Sequence, residues 1–202
     1  NRIDAGSVNI LPAAFPPTEF ADDVDAAQIA TVTDDARQTP LYLAVDVAAV
    51  EALLRFPEGK AALDVDCYGL LPYHVASTAA LISTLAVTGG PSSVFANETA
   101  MIPVAHALKF GCVEAANEWL AVAATTNQIE ALCAWRDGEC KRSILHWAAF
   151  GGCAEAVRCV REHPGMAAAW EALVGAKDGD GLTAADVWEA CNHSFNDGGL
   201  FA

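Results

Sequence analysis

The sequence predicts an all-α fold in which helix–turn–helix units stack in series. A six-residue pattern close to Thr-Pro-Leu-His-x-Ala occurs five times, beginning at Thr39, Leu71, Ile102, Ser143 and Thr183. The steps between copies are 32, 31, 41 and 40 residues, and a period of this size is typical of stacked repeats. Strong helix formers dominate, and no segment alternates as a strand would. We therefore expect little or no sheet and a core shared between neighbouring units.

The first 33 residues predict an extended arm followed by a capping helix. Residues 1–17 contain three prolines and no helical period. Thr18 is a candidate N-cap for a helix over residues 18–33, because Asp22 and Asp23 follow where negative charge suits the helix dipole. We expect this helix to cover the first end of the stack.

The central part predicts a repeat domain over residues 34–193, with units near 34–65, 66–96, 97–136, 137–177 and 178–193, followed by a frayed tail at 194–202. In each unit the first helix begins at the second residue of the pattern, where a proline needs no hydrogen-bond partner. Thr39 is expected to cap the first of these helices, and Pro57 and Gly59 are expected to end the second helix of that unit. The two long steps predict an extra turn or short helix at residues 125–135 and an inserted helix at 166–174.

Charge restricts the class of partner. The net charge is −15, with only 11 basic residues. Nucleic acid and anionic membrane surfaces are therefore poor partners, because both require clustered cations. A basic protein segment fits better, since complementary charge steers encounter. The alternative is that the acidic surface serves solubility alone.

The sequence also predicts a cytoplasmic protein. No apolar run reaches the roughly 18 residues of a membrane span, and the first residues do not resemble a secretion signal. The seven cysteines are odd in number and spread through helical segments, which favours reduced thiols over a disulfide framework.

The recurring residues resemble ankyrin repeats over about residues 34–193. The fourth unit matches best, at Asp137, Ser143, Leu145, His146, Ala148, Ala149 and Gly152. The third departs most, with Ile102 in place of Thr and Ala105 in place of His. The resemblance implies an L-shaped array that binds through its finger-like turns and the concave face of its first helices. It also implies that His74 and His146 hydrogen-bond the backbone between units, which is a structural role.

No catalytic, cofactor-binding or metal-binding set is recognisable in the sequence. There is no phosphate loop, no Gly-x-Ser-x-Gly elbow and no complete calcium loop. A zinc site built from Cys159, His163, Cys191 and His193 is conceivable, but no Cys-x-x-Cys pair supports it. We therefore expect no enzyme activity, no cofactor, no metal and no small-molecule substrate.

The candidate partner-binding residues occupy positions that the resemblance places on the concave side of the first helices or in the turns. They are Leu43, Asp46, Tyr68, Val75, Thr78, His106, Lys109, Phe110, Arg142, Trp147 and Phe150. Large apolar side chains at such positions suggest a binding hot spot. The other interpretation is that Trp147 and Phe150 are covered by the inserted segments or by the next unit. The remaining tryptophans are expected to anchor the core or the insertions: Trp119, Trp135, Trp170 and Trp188.

The sequence thus predicts a protein–protein interaction module for a protein or peptide partner. The alternative is a regulatory or substrate-recruiting domain of a larger enzyme whose catalytic part lies outside this chain.

Overall fold

A computed structural model of the chain describes residues 28–64, 69–97, 100–191 and 199–201. In these residues the regular elements are helices, which confirms the all-α class there. The predicted arm and the start of the predicted capping helix lie outside the described residues, and residues 28–31 are helical. The helices that follow are α1 Pro40–Leu43, α2 Val47–Leu54, α3 Pro57–Ala61, α4 Pro72–Val75, α5 Ala79–Gly89, α6 Pro103–Lys109, α7 Val113–Thr125, α8 Ile129–Ala134, α9 Ile144–Gly151, α10 Ala154–Glu162, α11 Trp170–Gly175 and α12 Ala184–Ala190.

The helices pack in two rows. In the first row, each helix contacts the next in the order α1, α4, α6, α9 and α12. In the second row, α2, α5, α7 and α10 contact one another in the same serial order. Each of the first four first-row helices also packs against the second-row helix that follows it in the chain. The result is two layers whose contacts run mainly between neighbours in sequence.

The pattern residues begin the first-row helices in two ways. Pro40, Pro72 and Pro103 stand at the first turn of α1, α4 and α6, where the fixed φ of proline suits a helix. Ser143 and Thr183 instead cap α9 and α12, because their hydroxyl oxygens accept a backbone N–H from the first turn.

Thr39 does not form the predicted cap. It occupies the N-cap position of α1, but its side chain accepts no hydrogen bond there. Its buried hydroxyl has no partner among the described residues. The backbone N–H of Tyr42 donates to the Thr39 carbonyl at 3.0 Å, so the donor that the hydroxyl would have bound is already used. For Thr39 the capping prediction is wrong.

Pro57 and Gly59 also behave differently from the prediction. The second helix of the first unit ends at Leu54, and Pro57 then begins the short helix α3. Gly59 lies inside α3, where an added Cβ would stand 1.8 Å from the carbonyl oxygen of Leu53. Glycine is therefore needed at position 59 because the backbone of α3 passes close to that of α2. Gly59 does not end α2.

The two predicted insertions are present, and they pack together. The first contains α8, and the second contains a 3₁₀ segment, Pro164–Ala169, followed by α11. The 3₁₀ segment contacts α8, α10 and α11, and Leu132 and Met166 are fully buried. The extra length of the two long steps thus builds a third set of contacts beside the two rows.

One hydrophobic cluster extends from Leu41 to Phe201. The predicted anchors are buried within it, namely Trp119, Trp135, Trp170 and Trp188. Small side chains such as Ala105 and Ala148 are fully buried on the first-row helices, which lets neighbouring helices approach. In the described ranges, no helix combines the length and the apolarity needed to cross a membrane.

The last described residues pack against the end of the stack. Leu200 and Phe201 are buried, and the Phe201 ring lies edge-on to the Trp188 ring with centroids 6.0 Å apart. Arg161 Nη1 donates to the Gly199 carbonyl at 2.8 Å. Residues 199–201 belong to the segment predicted to be a frayed tail, and here their two large side chains cover the apolar end of the core.

Candidate partner-binding surface

The fourth residue of the pattern links one unit to the next through the backbone. His74 Nε2 lies 2.6 Å from the Met101 carbonyl oxygen, and His146 Nε2 lies 3.0 Å from that of Leu182. Each acceptor immediately precedes the next copy of the pattern. Because a carbonyl can only accept, each imidazole carries its proton on Nε2. The predicted structural role of both histidines is confirmed.

The other copies treat this position differently. Tyr42 replaces the histidine in the first unit, and its hydroxyl donates to the Leu70 carbonyl, again just before the next pattern. In the last copy, Asp186 accepts hydrogen bonds from the backbone and hydroxyl of Thr183 within its own helix start. Ala105 in the third copy has no polar side-chain atom, so it cannot bridge to the fourth unit.

The turn before α9 is organised by one buried carboxylate. Asp137 Oδ1 accepts the backbone N–H groups of Glu139 at 2.9 Å and Cys140 at 2.6 Å. Its Oδ2 accepts the N–H of Arg142 at 2.9 Å and Nε1–H of Trp147 at 3.2 Å. The turn therefore fixes the position of both Arg142 and the Trp147 ring.

A second buried carboxylate holds the Arg142 side chain. Arg142 Nε donates to Asp178 Oδ2 at 3.3 Å. Burial raises the pKa of Asp178, but hydrogen bonds from the backbone N–H groups of Leu182 and Asp180 and from Arg142 outweigh it, so that the pKa lies below its ordinary value. Asp178 is therefore ionised at neutral pH.

Aromatic rings and cations from the third and fourth units meet at the first row. We call this set, Lys109, Phe110, Arg142, Trp147 and Phe150, the aromatic–cation patch. Lys109 Nζ lies 5.3, 5.1 and 5.7 Å from the ring centroids of Phe110, Trp147 and Phe150. Arg142 Cζ lies 5.4 Å from the Trp147 ring and 5.1 Å from the Phe150 ring. At these distances a cation is attracted to the face of a ring.

The rings of the patch differ in exposure. Phe110 is 61% exposed and Phe150 is 38% exposed, so the alternative interpretation, in which the inserted segments or the next unit cover Trp147 and Phe150, does not describe Phe150. Trp147 is half-buried and packs against the core. Its ring meets that of Phe150 edge-on at 5.6 Å. The patch thus has one anchored ring and two that face solvent.

His106 extends the patch towards the second unit. Its ring centroid lies 4.7 Å from that of Phe110 and 5.7 Å from that of His74. Burial, and next the neighbouring His74 and Lys109, lower the pKa of His106 to about 4. The imidazole is therefore neutral at pH 7 and adds a polar, uncharged edge.

The other candidate residues do not join this patch. Leu43 and Val75 are exposed on α1 and α4. Asp46 and Thr78 cap α2 and α5, where each accepts a backbone N–H, so their first role is structural. Tyr68 lies outside the described residues.

The candidate residues chosen from the sequence did not include two buried carboxylates that hold the Trp147 and Arg142 side chains in place. Asp137 and Asp178 bind backbone N–H groups, Trp147 and Arg142. The signal that could have found them is the Asp-Gly pair that precedes both the fourth and the fifth copy of the pattern. An acidic side chain there can bond the turn backbone.

The patch offers two kinds of contact. Exposed rings offer apolar area, and the two cations offer charge-assisted hydrogen bonds. Across residues 28–64, 69–97, 100–191 and 199–201, no group of three or more His, Cys, Asp or Glu side chains is arranged to hold a metal ion. No protein-family model matches this chain, and no curated protein is significantly similar to it.

Proposed function

We propose that residues 34–193 form an ankyrin-type repeat array that binds a protein or peptide segment through its first-row helices and the turns before them. The serial contacts of the two rows support the array. The side-chain bridges from Tyr42, His74 and His146 to the backbone before the next pattern support it as well. Such an array offers an extended surface rather than a closed cavity.

The observation that carries the binding function is the aromatic–cation patch. Trp147 is held in place by Asp137 and the core, so little conformational entropy is lost when a partner covers it. The exposed Phe150 ring meets it edge-on, and the Lys109 ammonium group lies over both the Trp147 ring and the exposed Phe110 ring. Interface hot spots are enriched in such aromatic and arginine side chains. The patch therefore suits a ligand that covers these rings with apolar side chains and also accepts hydrogen bonds from Lys109 and Arg142.

A selection from a random peptide display library tests this function. Peptides selected on the purified chain are expected to bind at least tenfold more weakly to the Phe110→Ala/Phe150→Ala double variant, which is about 1.4 kcal/mol. Val87→Ala is the matched control, because Val87 is an apolar side chain on α5 that is 85% exposed. The function is refuted if the library yields no peptide, or only peptides that bind the double variant as well as the unmodified chain.

Trp147→Ala should weaken binding of the same peptides by at least about 1 kcal/mol. Because Trp147 also packs against the core, urea unfolding must be measured on the same variant. Binding that persists in a folded Trp147→Ala protein would assign this ring to the core alone.

A further inference from the structure

We propose that the segment bound at the aromatic–cation patch is acidic, with Asp or Glu next to an apolar side chain of the partner polypeptide. This proposal rests on the function proposed above and names the chemistry of the ligand.

Lys109 supplies the first positive charge at the patch. Its ammonium group lies over three rings, and it has no ion pair with any residue that the structure describes. A ring face attracts the charge but accepts no conventional hydrogen bond, so the three N–H donors of the ammonium group stay available. A carboxylate placed beside the rings would receive them.

Arg142 supplies the second charge. One of its five N–H donors is used by Asp178. The side chain is 15% exposed, and its guanidinium group lies over the Trp147 and Phe150 rings. The ion pair with Asp178 and the rings fix the group in one position, which prepares its remaining donors for an anionic acceptor.

The carboxylates beneath the patch are not available to a basic ligand. Asp137 is 2% exposed and accepts four hydrogen bonds. Asp178 is buried and accepts bonds from two backbone N–H groups and from Arg142. Glu139 and Asp180 are exposed in the turns before α9 and α12. An acidic segment is therefore expected to contact Arg142 at the end of the turn before α9 and to keep clear of the Glu139 and Asp180 side chains.

The net charge of −15 leads to a different expectation, a basic partner. That expectation concerns forces averaged over the whole surface, which salt screens over about 8 Å at physiological ionic strength. A ligand in contact with the rings instead meets Lys109 and Arg142 at short range. The charged groups that a ligand can reach at the patch are these two cations, and they favour a carboxylate over a basic side chain.

The composition of the peptides selected in the display experiment tests the proposal. Peptides that depend on Phe110 and Phe150 are expected to be enriched in Asp and Glu. The best of them, made synthetically with a fluorescent label, should bind at least tenfold more tightly than the same peptide with every Asp and Glu replaced by Asn and Gln. Fluorescence anisotropy measures the affinity of each of the two peptides, at two salt concentrations.

Lys109→Met tests the role of the cation, because methionine keeps the apolar stem over the rings. It should weaken binding of the acidic peptide at least fivefold more than it weakens binding of the amide version. Lys60→Met is the matched control, since Lys60 is an exposed lysine of α3 in the first unit. Lys109→Gln provides a second variant if the first proves unstable in urea unfolding.

Patch-dependent peptides that are neutral or basic would overturn the proposal and leave the binding function standing. The same holds if the acidic peptide and its amide version bind equally. The absence of any patch-dependent peptide would instead refute the binding function itself. Single-stranded oligothymidylate is tested in the same assay. If it binds the unmodified chain but not the double phenylalanine variant, the patch is a nucleic-acid site and the proposal of an acidic peptide ligand is overturned.

Discussion

At the scale of single residues, buried polar side chains fix how one unit sits on the next. His146 is fully buried. Its Nδ1 lies 2.7 Å from the Ser143 hydroxyl, and its Nε2 bonds the Leu182 carbonyl. One ring therefore joins the start of α9 to the start of the following unit. A hydrogen bond is directional, so this bridge sets the register between neighbours as well as adding stability.

We expect His146→Ala to lower the free energy of unfolding by about 2–4 kcal/mol. The change removes a buried ring and leaves the Leu182 carbonyl without this donor. Tyr42→Phe is the milder counterpart, because it removes the hydroxyl that bonds Leu70 and keeps the ring, and about 1 kcal/mol is expected. Urea unfolding followed by far-UV circular dichroism measures both. A His146→Ala effect no larger than that of Tyr42→Phe would contradict the bridging role.

Single residues also show where sequence reasoning stops. The role of His74 and His146 was predictable, because their position recurs in the pattern. The failure of Thr39 to cap α1 was not, since it depends on whether a backbone carbonyl or a hydroxyl takes the N–H of Tyr42. A residue type that recurs in the pattern indicates where a helix begins. Which hydrogen bond that residue then forms depends on the local backbone geometry.

At the scale of elements, the contact between α6 and α9 depends on one glycine. A Cβ added at Gly151 would lie 2.1 Å from the Lys109 carbonyl oxygen. The last turn of α9 therefore touches the backbone of α6. The same contact places Lys109 of α6 beside the rings that α9 carries.

Gly151→Ala is expected to destabilise the protein by about 1–3 kcal/mol, because an extra methyl group at a close contact forces the two helices apart. Gly175→Ala is the matched control. Gly175 also ends a helix, but nothing lies within 4 Å of its added Cβ, so a gain of about 0.4–1 kcal/mol is expected from the lower entropy of the unfolded chain. Thermal and urea unfolding of both variants check the pair. Equal effects would show that the α6–α9 contact is not tight.

The inserted elements were predictable only in part. The long steps between copies placed extra segments at residues 125–135 and 166–174, and the structure has α8 and α11 there. Nothing in the local pattern indicated that the two insertions contact each other, because Leu132 and Met166 lie far apart in sequence. A periodic pattern identifies apolar faces but does not say which faces pair.

At the scale of the whole molecule, each unit contacts mainly its neighbours in sequence, so the apolar faces at the two ends of the stack must be covered by other residues. Leu200 and Phe201 cover the end at the last unit, where the Phe201 ring meets the Trp188 ring. In a serial array, stability is close to a sum of unit and neighbour terms. A change at one end should therefore act locally.

Phe201→Ala should speed amide hydrogen exchange in α12 and leave α2 unchanged. The variant uncovers Trp188 at the end of the core, whereas α2 lies at the other end of the second row. Hydrogen–deuterium exchange with mass spectrometry on the full chain measures both helices. Uniform acceleration along the chain would show that the molecule unfolds as one cooperative unit.

The arrangement of the whole molecule also explains which part of the candidate binding surface could be predicted. His106, Lys109, Phe110, Arg142, Trp147 and Phe150 were chosen from their positions in the sequence, and they meet in the structure. Their local charge was not foreseen, because a net charge of −15 averages over the chain. Asp137 and Asp178 count towards that average, but both are buried and hydrogen-bonded within the chain, so their oxygens are not offered to a ligand.

Ala105 gives the joint between the third and fourth units a distinct mechanical character. At the neighbouring joints Tyr42, His74 or His146 bonds the backbone just before the next copy of the pattern. At this joint the first-row helices α6 and α9 instead meet through close backbone packing at Gly151, and the Cys159 thiol donates to the Asn117 amide oxygen at 3.1 Å in the second row. The aromatic–cation patch straddles the same joint, with Lys109 and Phe110 on one side and Arg142, Trp147 and Phe150 on the other. A ligand held by both sides would act as a clasp, so occupancy and the stiffness of the array would rise together.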